Sequence, residues 1–257
     1  MKRAVILQPG YLPWLGFFEQ MSRADVFVYL DDVQYTKNDW RNRNRIKTKD
    51  GTQWLTVPVS FQFGQRILEV PINQASPWAR RQIQALHSWY QRAPFFERYI
   101  PELTAILNQR HALLVDLDIE LTNWLQAQLG LPVATRRSSG LGITSTDRQM
   151  RLIEICRTLG CDTFYEGRAG MSYMDTALFQ SHGVTVEFQD YAHPYYRQLW
   201  TREQGFISHL SIVDLLFNHG PDSLMILTGK TIESPAENLR SRSADEVQAQ
   251  LSQERPH

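Results

Sequence analysis

A chain of 257 residues with 42% hydrophobic and 21% charged side chains carries ample apolar material for a packed core, which excludes a disordered or fibrous class. Lys plus Arg and Asp plus Glu are equal at 27 each, so no whole-molecule field draws the chain to nucleic acid or an acidic membrane, and any anion site must be local. The opening apolar run, Ala4 to Leu7, is too short for a signal-peptide core, and no later run approaches the roughly 18 residues of a membrane span; the expected location is cytoplasmic, with no transmembrane segment.

Ala4 to Leu7 and Val26 to Leu30 are continuous apolar runs bounded by polar residues, the pattern of buried parallel strands. Leu15, Phe18 and Met21 between them fall near helical spacing, which predicts a β-α-β unit with a right-handed crossover. Residues 43–72 change character: Ile46, Trp54, Leu55, Val57, Val59, Ile67, Leu68 and Val70 are strand-like, and Lys49-Asp50-Gly51-Thr52 is a hairpin signal, so a small antiparallel insertion is expected. A helical segment over about 77–130 follows, with helices opened near Pro77, Pro94 and Leu113 and the last ended by Gly130 and Pro132. The β-α alternation then resumes, with strands near Val133 to Arg137, Thr163 to Glu166 and Val184 to Phe188, and helices over Thr146 to Leu159 and Met174 to Ser181. Short helices at Ser211 to Phe217 and Asp222 to Leu227 close the pattern. The fold class is α/β: an open, doubly wound, mostly parallel sheet of five strands, Rossmann-like, in one domain over 1–230, followed by a flexible polar tail at 231–257. Cys156 and Cys161 lack the partners of a zinc site and read as reduced structural thiols.

In such sheets ligands bind beyond the carboxyl ends of the strands, where loops converge and helix amino termini point. That rule selects Gln8, Tyr11 and Trp14 after the first strand, and Asp31, Asp32 and Gln34 after the second. It also selects Glu166, with Tyr173 further on, after the fourth, and Tyr191, His193, Tyr196 and Gln198 after the fifth. In QPGYLPWLGFF, two prolines stiffen a turn whose Tyr11 and Trp14 offer flat faces to a ligand ring; the competing reading is a rigid joint with its aromatics in the core. The spacing is neither that of a phosphate loop nor of a dinucleotide fingerprint. Between residues 37 and 49, Lys37, Arg41, Arg43, Arg45, Lys47 and Lys49 stand against Asp39 alone, a local excess of five positive charges in a neutral chain. Arginine forks suit phosphate or carboxylate, and Asn38, Trp40 and Asn42 add hydrogen bonds and a ring face; Lys37, Arg41, Arg43 and Lys47 are the expected anion contacts. A solvated cationic face is the alternative, while nucleic acid is disfavoured because the remaining chain is neutral or acidic. Asp31-Asp32 is a candidate for a divalent cation such as Mg²⁺ or for pairing with nearby arginines; no motif requires a metal or any other cofactor. Asp32 and His193 are the candidate catalytic bases. No serine stands in a hydrolase elbow.

The stretches QPGYLPWLGFF, DDVQYTKNDWRNRNRIKT, TLGCDTFYEGRAGMSYMD, VEFQDYAHPYYRQ and FISHLSIVDLLFNHGPDSL together resemble the WbqC-like proteins found among bacterial surface-polysaccharide (O-antigen) gene sets. The resemblance runs to about Leu227. It implies a role around amino-sugar or glycan building blocks: a transferase that attaches an aminoacyl or other acyl group to the amine of a nucleotide-activated sugar or related phosphorylated metabolite, with an acyl-carrier or glycan-assembly protein as a partner. A non-catalytic ligand-binding protein of the same pathway is the second expectation. A fainter likeness to the adenylyl-transferring class that includes pantothenate synthetase gives the third, a nucleotidyltransferase or ligase, although the H-x-G-H turn of that class has no counterpart in the first turn here.

Overall fold

The structure is a computed structural model that describes residues 1–37 and 39–229; Asn38 and the expected tail at 231–257 lie outside the described residues. The chain opens with β1 (Arg3–Leu7), α1 (Leu15–Ser22) and β2 (Val26–Tyr29). β2 reads VFVY without polar alternation because all four residues are buried, the signature of a strand covered on both faces. Residue pairs run in parallel register from Ala4 beside Val26 to Leu7 beside Tyr29. Strands β5 (Ala134–Arg137), β6 (Thr163–Glu166) and β7 (Thr185–Phe188) complete a five-stranded sheet in the order β5-β2-β1-β6-β7, every neighbouring pair parallel. This is the α/β, doubly wound architecture expected from the sequence, and the strand order reverses between β1 and β6.

Helices cover both faces. On one, Val5, Phe27, Tyr29 and Tyr165 pack with Phe17, Phe18 and Met21 of α1 and with Leu117, Leu121 and Leu125 of α4 (Leu114–Gln128). The same core takes in α2 (Trp78–Tyr90), α3 (Phe96–Asn108), α8 (Ile212–His219) and α9 (Ser223–Leu227). On the other face, Ala4, Ile6, Val28 and Phe164 meet Leu152, Ile153 and Ile155 of α5 (Arg148–Thr158) and Phe179 of α6 (Thr176–Ser181). α5 starts where Asp147 accepts hydrogen bonds from the N–H groups of Gln149 (3.0 Å) and Met150 (2.9 Å), a cap worth about 1 kcal/mol. α4 ends at Gly130, whose φ of +69° is open to glycine at no steric cost. A short helix α7 (Thr201–Gln204), not expected from the sequence, lies between β7 and α8. Cys156, on the buried side of α5, and Cys161, just after that helix, are free thiols, and burial pushes the Cys156 thiol up to about 12. Among the described residues no helix is long and apolar enough to cross a membrane.

The insertion is smaller than expected. β3 (Arg43–Thr48) and β4 (Gly51–Thr56) form a two-stranded antiparallel hairpin, but residues 57–72 pair only at single points such as Val59 with Ile72. Ile67 to Glu69 is a turn of 3-10 helix rather than strand. The Glu69 carboxylate draws it closed by accepting from the Arg66 backbone N–H and from Arg66 Nε, each at 2.9 Å.

Candidate functional site

The first turn and the cationic segment, separated in sequence, are joined in space above the carboxyl ends of β1 and β2. The Tyr11 N–H donates to the Trp40 carbonyl (3.0 Å), Asn44 Nδ2 to the Leu12 carbonyl (2.8 Å), and Arg41 Nε to Gln8 Oε1 (2.7 Å). Gly10 allows this approach: a Cβ there would stand 3.2 Å from the Trp40 carbonyl oxygen. Gln8 follows β1 and Glu166 ends β6, so these two side chains flank the point where the strand order reverses.

Arg41 is the electrostatic centre of this crevice. Its side chain is mostly buried, and burial holds its guanidinium below the ordinary value while Asp39 and Asp118 oppose that shift. Nε is given to Gln8, and Nη2 lies 3.6 Å from Asp39, beyond good hydrogen-bond range; the rest of the fork makes no hydrogen bond among the described residues. Asp118, on α4, is fully buried and neither carboxylate oxygen has a hydrogen-bond partner. Burial pushes its carboxyl well above the usual carboxylate range, with the Arg41 charge pulling the other way. At the end of β6, Glu166 is half-buried, and burial raises its carboxyl above the ordinary value, opposed by hydrogen bonds from the Gly167 N–H and the Tyr173 hydroxyl (3.4 Å). Arg148 lies over the Tyr173 ring at 4.4 Å.

Several expected contacts serve the fold instead. Tyr11 offers no ring face: it is fully buried, its hydroxyl donates to Gln82 of α2, and the rigid-joint reading of this residue is the one the packing follows. Lys47 is not a phosphate clamp. Its ammonium is buried, donates to Gln198 Oε1 (3.0 Å) and to the Gly205 carbonyl, and sits near Asp214, which accepts from the hydroxyls of Tyr90 (2.7 Å) and Tyr196 (2.8 Å). Gln198 and Tyr196 are thus members of a closed polar network. Asn42 is buried and donates to the Val57 carbonyl (2.8 Å), extending the hairpin.

Neither expected base is free. Asp32 pairs with Arg151 and accepts from Ser138 Oγ (2.6 Å). Asp31 is held by Arg137 Nε (2.6 Å), the Ser139 N–H (3.0 Å) and the Ser139 hydroxyl (2.9 Å); burial opposes ionisation, yet these donors hold its carboxyl below the usual value. The acidic pair therefore ties β2 to β5 and α5, which is the arginine-pairing alternative rather than a cation site. His193 has Nδ1 2.9 Å from the Pro194 carbonyl and accepts the His209 N–H at Nε2 (3.2 Å), which assigns a neutral ring with its proton on Nδ1. Burial holds that ring below its ordinary pKa. Trp14 stacks on His209 (centroids 5.0 Å apart, planes at 21°) and meets Tyr191 edge-on (5.9 Å), forming a second wall. Gln34 is exposed and bridges to Arg66, Lys37 lies over the Phe61 ring at 5.5 Å, and Arg43 lies over Trp54 at 4.4 Å. Asn38 lies outside the described residues.

Set against known families, residues 8–226 match the WbqC-like protein family. The chain belongs to that family. The match starts at Gln8, directly after β1, and ends within α9, so the WbqC-like region contains Gln8, Arg41, Asp118 and Glu166. The chain is also 37% identical over 228 residues, 87% of its length and 96% of the relative's, to the uncharacterized protein Rv1507c of Mycobacterium tuberculosis. No solved structure matches it. Within this WbqC-like chain, sequence reasoning missed Asp118, Arg151, His209 and the exposure of Trp54. Asp118 and Arg151 sit on helices far from the strand ends in sequence and carry no local signal. Trp54 does carry one, since it alternates with buried Leu55 on β4 and must face outward.

Proposed function

We propose that this WbqC-like protein is a transferase that binds a nucleotide-activated amino sugar, or a related phosphorylated metabolite, in the crevice at the strand reversal and attaches an acyl or aminoacyl group to its amine. The observation that carries this reading is the Arg41 guanidinium, mostly buried, fixed by Gln8 and with donors unspent at the place where open α/β sheets take their ligands. A phosphate there accepts charge-assisted bonds from a fork already oriented by the protein, so little side-chain entropy is lost on binding. An attacking amine must be neutral. Since Asp32 and His193 are committed to protein partners, the role of base passes to Glu166, whose raised carboxyl sits at the same reversal and is held by the Gly167 N–H and a long contact from the Tyr173 hydroxyl rather than by an ion pair.

A specific observation favours a second reading: the commitment of both expected bases is what a non-catalytic ligand-binding protein of a glycan pathway would show. The two are separated by offering the purified chain nucleotide amino sugars with acyl-phosphate, acyl-thioester and aminoacyl donors and following amide formation by mass spectrometry. Turnover that Glu166→Gln abolishes, with substrate affinity kept, supports the transferase. Binding without turnover across all donor classes supports the second reading.

A further inference from the structure

Beyond the crevice, the outer face of the β3–β4 hairpin carries a cluster that the reading above leaves unused. Arg45 pairs directly across from Trp54, and Arg43 stands diagonally, so the three side chains share one face of the ribbon. Trp40 closes the group, its ring centroid 5.5 Å from that of Trp54 with the planes at 40°. Both indoles are 43% exposed. Arg45 lies 5.8 Å from each ring centroid, makes no ion pair among the described residues, and its Nε is buried without a hydrogen-bond partner. Exposed cation-π pairs contribute little to stability, so packing alone does not account for two exposed indoles around an unneutralised guanidinium.

The cluster is also continuous with the crevice. Trp40 and Arg41 are consecutive, and while Arg41 binds Gln8, the Trp40 carbonyl holds Tyr11 at the same turn. A flat aromatic surface and a phosphate-ready guanidinium therefore stand on adjacent residues. We infer that Trp40, Trp54 and Arg45 form a stacking platform for the base of a nucleoside diphosphate, whose phosphates run from Arg45 toward Arg41 and so deliver the attached group to the strand reversal. The occupant is fixed by charge and shape: it must present a ring face to the indoles and negative charge to the guanidinium side. This inference rests on the proposed function, because it supplies the nucleotide half of that substrate. It also moves ring recognition from buried Tyr11 to Trp54.

The test titrates the full chain with UDP, ADP, inorganic pyrophosphate and a short single-stranded oligonucleotide, by calorimetry and tryptophan fluorescence. Both nucleoside diphosphates are expected to bind and quench fluorescence, since stacking tolerates any base. Trp54→Ala is expected to weaken them about tenfold, equal to about 1.4 kcal/mol, while leaving pyrophosphate binding unchanged, and Trp54→Phe to restore most of the loss. Arg45→Ala is expected to weaken pyrophosphate and nucleotides alike. The inference is overturned if no nucleoside diphosphate binds, if Trp54→Ala folds by circular dichroism and binds nucleotides as the parent does, or if the oligonucleotide binds more tightly than the mononucleotides. The two levels fail differently. Nucleotide binding lost in Arg41→Ala but kept in Trp54→Ala removes the platform and leaves the crevice. Nucleotide binding that depends on Trp54 but gains nothing from an attached amino sugar keeps the platform and removes the transferase reading.

Discussion

Replacing Lys47 with alanine separates two accounts of the cationic strand. In the structure its ammonium is fully buried and serves Gln198 and the Gly205 carbonyl, within a network closed by Asp214, Tyr90 and Tyr196. Bonds to a charged donor contribute about 1.5–3 kcal/mol each. Lys47→Ala removes both and leaves the buried Gln198 amide and the buried Asp214 carboxyl without the neighbouring cation, so the expected loss of stability is about 3–5 kcal/mol. At about 2–4 °C per kcal/mol for a chain near this size, the melting temperature falls by roughly 6–20 °C. Urea unfolding is the assay: the midpoint drops with little change in slope, and the variant, at a temperature where it stays folded, binds ligand as the parent does. An unchanged midpoint with lost affinity would refute this reasoning and restore Lys47 as a ligand contact.

Three further predictions follow from other parts of the molecule. Asp118 has a raised folded pKa, so it contributes stability below the ordinary carboxylate range that is lost as pH rises through the folded value; Asp118→Asn is therefore more stable than the parent at about pH 8, by about 1–3 kcal/mol, with the gap narrowing in acid. An asparagine variant less stable at that pH would place an ionised Asp118 beside Arg41. His193 is held below its ordinary value by burial, so its stability contribution is present above about pH 6.5 and is lost as pH falls through the folded value; urea midpoints against pH become shallower in His193→Gln, and an unchanged slope contradicts the neutral-ring assignment. Gly16→Ala puts a Cβ 2.1 Å from the Trp14 ring and forces that ring off His209, at a cost of about 1–3 kcal/mol; indole emission unchanged from the parent would mean the wall of Trp14 and His209 does not form.

Much of the fold was legible because β1 and β2 carry unbroken apolar runs and several helices end at Gly or begin at Pro, Asp or Ser. The segment at 67–70 was not: Ile67, Leu68 and Val70 look like strand, and only the reach of Glu69 back to Arg66 makes a turn of them. The site was legible in outline, since the turn at Gln8 and the segment at Arg41 do meet. Its details were set by tertiary packing that no local pattern encodes. Strand alternation puts Lys47 on the same face as Arg43 and Arg45, but the chain around Gln198 and Gly205 crosses over that end of the hairpin and buries it. Tyr11 stands in a turn whose polar-aromatic composition suits a pocket wall, yet α2 supplies Gln82 to its hydroxyl and takes it into the core. Asp32 looked like a base because Arg151, its partner, is 119 residues away.

The most direct measurement is calorimetric titration of the parent chain and Arg41→Ala with UDP-activated amino sugars at two salt concentrations. The account predicts saturable binding by the parent that weakens with salt, and a loss of at least tenfold in the variant, about 1.4 kcal/mol for one charge-assisted phosphate contact. Equal affinity in the two proteins would contradict the claim that the guanidinium held by Gln8 is where the ligand's charge is received.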